Sequence, residues 1–157
     1  MAWGRGVQPV RGGGHRVRIG DDERGLVASL AAELREAIEA DDAAVARLFP
    51  PAYREDDGAN AEYEQLTRGE LTAGRVTALR TLEATCFDAE LSEEDANAWC
   101  GALNDLRLVL GERLGVTEEL YEDGIDPNDP RAPELALYGW LTWLQGEVVE
   151  SLASRLS

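Results

Sequence analysis

Residues 92–115 read SEEDANAWCGALNDLRLVLGERLG, and this stretch decides the fold. Ser92 is a side chain suited to capping free helix amides, and Glu93, Glu94 and Asp95 stand where a helix presents its positive end. From there Trp99, Leu103, Leu106, Leu110 and Leu114 fall within about a third of the circumference, at ~100° per residue, and form a core-facing stripe. Gly115 follows as a left-handed stop. Leu108 falls opposite the stripe and Val109 beside it, so the helix is apolar on more than one side and belongs between neighbours. Arg113 falls within the stripe, where it either snorkels from the helix end or, if buried, needs a carboxylate.

The end of the chain repeats this pattern. Pro133 opens a helix that reaches Leu152 or beyond, with Leu137, Leu141, Leu144, Val148 and Leu152 in its stripe. Gln145 sits inside that stripe and must find hydrogen-bond partners. Trp140 and Trp143 project elsewhere, toward a second packed face or a contact surface.

Upstream, Asp21 and Asp22 open a helix whose core-facing stripe is Leu26, Leu30, Leu34 and Ile38, with Val27 and Ala31 alongside. Residues 42–49 predict a short helix stopped by Pro50 and Pro51, and 53–60 a polar loop. Thr67-Arg68-Gly69-Glu70 has the form of a capping box and starts a helix through about Thr85, with Leu71, Val76, Leu79 and Leu82 inward. Residues 115–132 form an acidic connector. At the front, residues 3–9 and 15–19 flank Gly12-Gly13-Gly14 as a hairpin that leans on the body through Trp3, Val17 and Ile19. The expected fold is mainly α. It is one domain over 1–157, a bundle of four to five helices from residue 21 onward with a small N-terminal β-hairpin arm over 1–20.

Charge narrows function. The chain has 31 acidic and 15 basic residues, a net −16, which repels nucleic-acid phosphates and anionic lipid alike. The first twenty residues hold Arg5, Arg11, Arg16 and Arg18 and no acid. Such an arm can dock on a phosphate, but the commoner use of a charge run is pairing with the body it adjoins. Every basic residue is arginine. Schiff-base chemistry lacks its amine and the phosphate loop its lysine, and arginine does not serve as a general base.

Cys86 and Cys100 have no metal-ligand spacing, and His15 is the single histidine, so no zinc site of familiar form is encoded. A serine triad or Cys–His dyad would have to use His15, on the hairpin, with no GxSxG elbow. The loop Asp123-Gly124-Ile125-Asp126-Pro127-Asn128-Asp129 lacks the glycine and terminal glutamate of a calcium loop. Glu33, Glu36 and Glu39 share a helix face, yet no matching carboxylate array follows. Asp105 and Arg107 lie on one helix but do not face each other. No secretory signal or spanning segment is apparent. These readings assign no catalytic residue, metal or cofactor, and they expect no nucleic-acid or membrane partner.

The run from Trp99 to Glu118, with Tyr138-Gly139-Trp140-Leu141-Thr142-Trp143-Leu144-Gln145, Leu66-Thr67-Arg68-Gly69-Glu70-Leu71 and Leu48-Phe49-Pro50-Pro51-Ala52-Tyr53, resembles an actinobacteria-specific family of unknown function. The resemblance spans nearly the whole chain. It implies a cytoplasmic actinobacterial protein whose relatives are often encoded beside the ClpS adaptor. Through that pattern Arg68, Trp99, Asn104, Asp105, Arg107, Arg113, Trp140, Trp143 and Gln145 are candidate ligand- or partner-binding residues. The leading expectation is a non-enzymatic interaction or regulatory protein, with Clp proteolysis components as conceivable partners. The alternative is a small-molecule binder with a pocket between the two central helices, lined by Trp140 and Arg107 or Arg113, for an anionic or amphipathic ligand.

Overall fold

In a computed structural model, residues 5–40, 58–117, 124 and 126–154 are described, with the backbone alone for 58–70. They form β1 (Gly6–Pro9), β2 (His15–Arg18), α1 (Asp21–Glu39), α2 (Gly58–Thr85), β3 (Glu90–Leu91), α3 (Glu93–Leu114) and α4 (Ala132–Ser154). The fold is mainly α, four helices and one small antiparallel sheet among the described residues.

The hairpin forms over Gly6–Pro9 and His15–Arg18, Trp3 of its expected first strand lying outside the described residues, and its turn needs glycine. Gly12, Gly13 and Gly14 have φ of +92°, +117° and +90°, a run that side-chain-bearing residues rarely adopt. In the register, Val7 faces Val17 and Pro9 faces His15. The sheet has a third strand that the sequence reading does not contain: β3 pairs with β2, His15 opposite Leu91, in the order β1-β2-β3. Two residues are too short for a period-2 signal, so nothing marks this strand locally.

Helix α3 starts and stops where the sequence says. Ser92 Oγ accepts from the Asp95 N–H at 3.0 Å, and Gly115 closes the helix at φ 64°, ψ 40°. It occupies the centre, packed between α2 and α4 and touching α1. Trp99, Ala102, Leu103, Leu79, Leu82, Leu141, Leu144, Val148, Val27 and Ala31 are fully enclosed, joined by Val7, Val17 and Leu91 from the sheet. Each large side chain taken from water contributes about 1.5–3 kcal/mol, so this seam supplies most of the driving force.

Three local expectations change. The Thr67–Glu70 capping box lies inside α2, which begins at Gly58, because the preceding segment continues the helix rather than breaking it. The cap of α1 is Gly20, whose N–H donates to Glu23 Oε1 at 2.7 Å, leaving Asp21 and Asp22 as first-turn acids at the positive end. Its buried line is Arg24, Val27, Ala31 and Leu34; Leu30 and Ile38 are partly buried against the core, and of the expected stripe only Leu26, 41% exposed, turns out of it. Arg113 is exposed near the end of α3, the snorkelling outcome of the two that the sequence allows, while its neighbour Leu114 is buried. The short helix expected over 42–49 lies outside the described residues, as do 118–123 and 125 of the connector. Its remainder is tied back by Arg131, which donates to Leu114 O at 2.8 Å while gripping the Asp129 carboxylate. Among the described residues no helix is long and apolar enough to cross a membrane.

Candidate functional site

Three groups of polar side chains sit where the hairpin meets the helices. His15 is wholly buried on β2; its Nδ1 is 2.6 Å from Ser151 Oγ on α4, and its Nε2 meets Glu93 Oε1 at the start of α3. An ionised carboxylate only accepts, so Nε2 donates to Glu93, and the Ser151 hydroxyl, able to donate or to accept, completes the bond at Nδ1. One imidazole thereby joins strand, central helix and last helix.

Serine, histidine and carboxylate in contact is the grouping that acyl-transfer enzymes use. The surroundings oppose that chemistry here. Ser151 is 2% exposed in the last turn of α4, where helix carbonyls present the negative end, and Glu147 and Glu150 line the groove beside it. An oxyanion needs N–H donors at that place. The geometry therefore makes His15 a clamp. Sequence reasoning placed the histidine on the hairpin but had no signal for partners 78 and 136 residues away.

Arg24 is a second clamp that the sequence reading missed. It is 7% exposed, and its guanidinium donates to the carbonyls of Cys86, Asp88 and Val17, each at 2.8 Å. Charge-assisted bonds to three carbonyls hold β2 and the loop after α2 against α1. Cys86, within this arrangement, donates its thiol to Glu83 O at 3.2 Å, and burial pushes the thiol's pKa up. Cys86 and Cys100 are both free, Cys100 being half-buried.

The third group includes the tryptophans of α4. Arg5 grips Glu23 through two bonds of 3.1 and 2.7 Å and lies 5.3 Å over the Trp143 ring. The Arg5 guanidinium holds the Glu23 carboxyl below its ordinary range, and the Trp140 indole N–H adds the smallest share without completing a hydrogen bond. The basic arm thus pairs with the acidic body here. Arg16 does the same with Glu90 at 3.6 Å.

The remaining candidates divide between two seams. Asn104 Oδ1 accepts from Arg107 at 3.1 Å and more weakly from Gln145 Nε2 at 3.4 Å, so these three meet between α3 and α4. Asp105 turns the other way, 3.4 Å from Arg75 Nε on α2, and burial lifts its carboxyl above the usual range against the opposing pull of Arg75. Trp99 is enclosed and donates its indole N–H to Thr85 Oγ1 at 2.7 Å, which commits it to the core. Arg68 lies on the part of α2 described by backbone alone.

The seam between α3 and α4 is packed solid, with Leu103, Leu141, Leu144 and Val148 enclosed and the Asn104, Arg107 and Gln145 contacts beside them. The opening lies beside it, a cavity of about 70 Å³ among α1, α3 and α4 with Leu30, Leu34, Leu106, Leu110 and Leu141 as walls and Glu33 and Arg113 among its lining. It is not the pocket expected between the two central helices: α1 forms one wall, and of the expected lining residues Arg113 is present while Trp140 and Arg107 are not. Among the described residues no three His, Cys, Asp or Glu side chains gather to hold a metal.

The chain belongs to the family described as a domain of unknown function (DUF2017), which matches residues 5–152. Among curated relatives, the oxidative stress regulator AosR of Mycobacterium tuberculosis (strain H37Rv) and that of Mycobacterium bovis are each 35% identical over 125 residues, covering 69% of this chain. A protein of Mycobacterium leprae described as a putative oxidative stress regulator AosR is 34% identical over 110 residues, covering 68% of this chain and 50% of its own length. The chain spans 57% of the length of the first two relatives. No solved structure matches it.

Proposed function

We propose that this DUF2017 protein is a regulatory protein of the oxidative-stress response that acts through contact with a partner protein. The observation that carries the reading is its 35% identity with relatives named oxidative stress regulators. The use of its polar interior fits that role: His15, Arg24 and Trp99 are committed to holding elements together. Large apolar side chains, meanwhile, stand out on several faces, with Phe87 61%, Leu108 45% and Val149 45% exposed. A link to regulated proteolysis rests on the gene neighbourhood that the resemblance implies; a tagged chain should then retain Clp components from a lysate.

Deleting the gene in its host and challenging with peroxide tests the reading. The expected result is lower survival and an altered transcript response, both restored by the wild-type gene. A deletion strain indistinguishable from its parent overturns it.

The cavity near Arg113 supports a second reading, binding of a small amphipathic ligand with an acyl or aryl group against Leu34 and Leu106 and an anionic end at the guanidinium. Arg113→Ala should then abolish the thermal shift given by a short-chain carboxylate such as butyrate, whose apolar end suits a cavity of about 70 Å³. Equal shifts in wild type and variant remove this reading.

A further inference from the structure

Phe87 is the most exposed of the large apolar side chains among the described residues, at 61%, and it stands on the loop that Arg24 holds. Arg24 Nη1 donates to Cys86 O and to Asp88 O, each at 2.8 Å, so a single guanidinium nitrogen ties the residues on either side of the ring. The Asp88 N–H donates to Thr85 O at 2.9 Å, and Ala89 O accepts from the Val17 N–H at 2.8 Å. The small Cys86 is taken inward, at 2% exposure, while the larger ring beside it is left out. Phe87 is therefore an aromatic side chain presented to solvent on backbone that is already ordered.

The outer edge of the ring rests on α1, where a Cβ added to Gly25 would lie 4.0 Å from Phe87 Cζ. Asp21 and Asp22 precede Gly25 by four and three residues, the spacing that shares a helix face, and Asp88 follows the ring directly. All three carboxylates are exposed, and none forms an ion pair with a described residue. Trp143, the other aromatic among the exposed apolar side chains, already has the Arg5 guanidinium over its ring. Phe87 has no such cover.

We infer that Phe87 is the anchor of a protein–protein contact, entering an apolar pocket on a partner whose rim carries arginine or lysine. Charge decides which rim fits. A ring set among three unpaired carboxylates, on a chain of net −16, meets a basic rim favourably and turns an acidic one away. In a symmetric dimer through this face the same carboxylates would oppose one another, which disfavours a second copy as occupant. Buried aromatic anchors dominate such contacts, and a loop ordered beforehand loses little freedom on binding. The contact presupposes the partner-protein reading above and gives it a place.

The test irradiates purified full chain, with photoreactive benzoylphenylalanine in place of Phe87, in a lysate of the host. Chains with the same probe in place of Leu108 or Val149 serve as controls, and mass spectrometry locates each adduct. The adduct should form from position 87 alone, on an apolar segment of another protein with arginine or lysine beside it. Unlabelled wild-type chain should displace it, and Phe87→Ala chain should need about thirtyfold higher concentration, the scale of an aromatic hot spot. A chain with Asp21→Asn, Asp22→Asn and Asp88→Asn should need about fivefold more and lessen the salt dependence, the scale of exposed rim pairs. Urea unfolding checks that each competitor is folded under the assay conditions. No adduct from position 87, equal adducts from 108 or 149, a second copy as the captured protein, an acidic surround at the captured segment, or equal displacement by Phe87→Ala would each overturn the anchor. Any of these with the peroxide phenotype intact would leave the regulatory reading standing. The expected adduct with a deletion strain indistinguishable from its parent would keep the contact and remove the stress response.

Discussion

His15 Nδ1 and Ser151 Oγ lie 2.6 Å apart, binding the first hairpin to the last helix across 136 residues of sequence. Both groups are out of water, so neither has an alternative partner to fall back on. Ser151→Ala should cost about 1–2 kcal/mol by leaving a buried ring nitrogen unbonded, and His15→Ala about 2–4 kcal/mol by adding a cavity. Urea unfolding of both variants and the pair checks this. If the double variant loses the sum of the two single losses, the clamp does not exist.

Arg24 should tolerate lysine poorly. A lysine ammonium is a point charge without the fork that reaches Cys86, Asp88 and Val17 together. Arg24→Lys should lose about 2 kcal/mol and Arg24→Met about 3 kcal/mol or more, since methionine strands all three carbonyls. The same variants should speed amide exchange in β2 and residues 86–89 first. Uniform acceleration across all helices would count against a local clamp.

Asp105 gives a pH dependence of definite sign. Burial raises its folded pKa above the unfolded value, with Arg75 opposing, so the folded state binds the proton more tightly. Its contribution to stability is therefore most favourable at low pH and is lost as pH rises from the ordinary aspartate range through the raised value. The stability difference between Asp105→Asn and wild type should move in the variant's favour across that window and be flat on either side. Glu23 runs the other way: held down by Arg5, it contributes above its ordinary range and loses that contribution as pH falls. A difference for Asp105→Asn that falls with rising pH would show Arg75 outweighing burial.

Periodicity made α3 and α4 legible, because each carries enough apolar residues to set a phase, and Ser92 and Gly115 are strong local signals. In α1 the stripe holds at Val27, Ala31 and Leu34, but Leu26 turns outward and Arg24 takes a buried position that hydropathy assigns to solvent. The same method started α2 late, since a capping-box sequence can sit inside a helix when nothing before it breaks the chain. The site was less legible for a different reason. Asn104, Arg107 and Gln145 do meet. The buried clamps instead join His15 to Ser151 and Arg24 to Cys86, pairs that only the folded chain brings together.

Cys86 carries the last expectation. The thiolate is the reactive form, and burial raises the Cys86 pKa, so at a given pH less of it is ionised than for a free thiol. Its hydrogen is spent on Glu83 O, and the side chain is 2% exposed. Iodoacetamide at neutral pH should therefore label Cys100 first, with Cys86 slower by about tenfold or more, and both should react alike in urea. Arg24 packs beside Cys86 and holds its carbonyl, so Arg24→Met should loosen the loop and speed labelling of Cys86 while leaving Cys100 unchanged. Mass spectrometry of timed aliquots separates the two thiols. Labelling of Cys86 at the denatured rate in a protein that keeps its helical circular dichroism would show that the thiol is not enclosed.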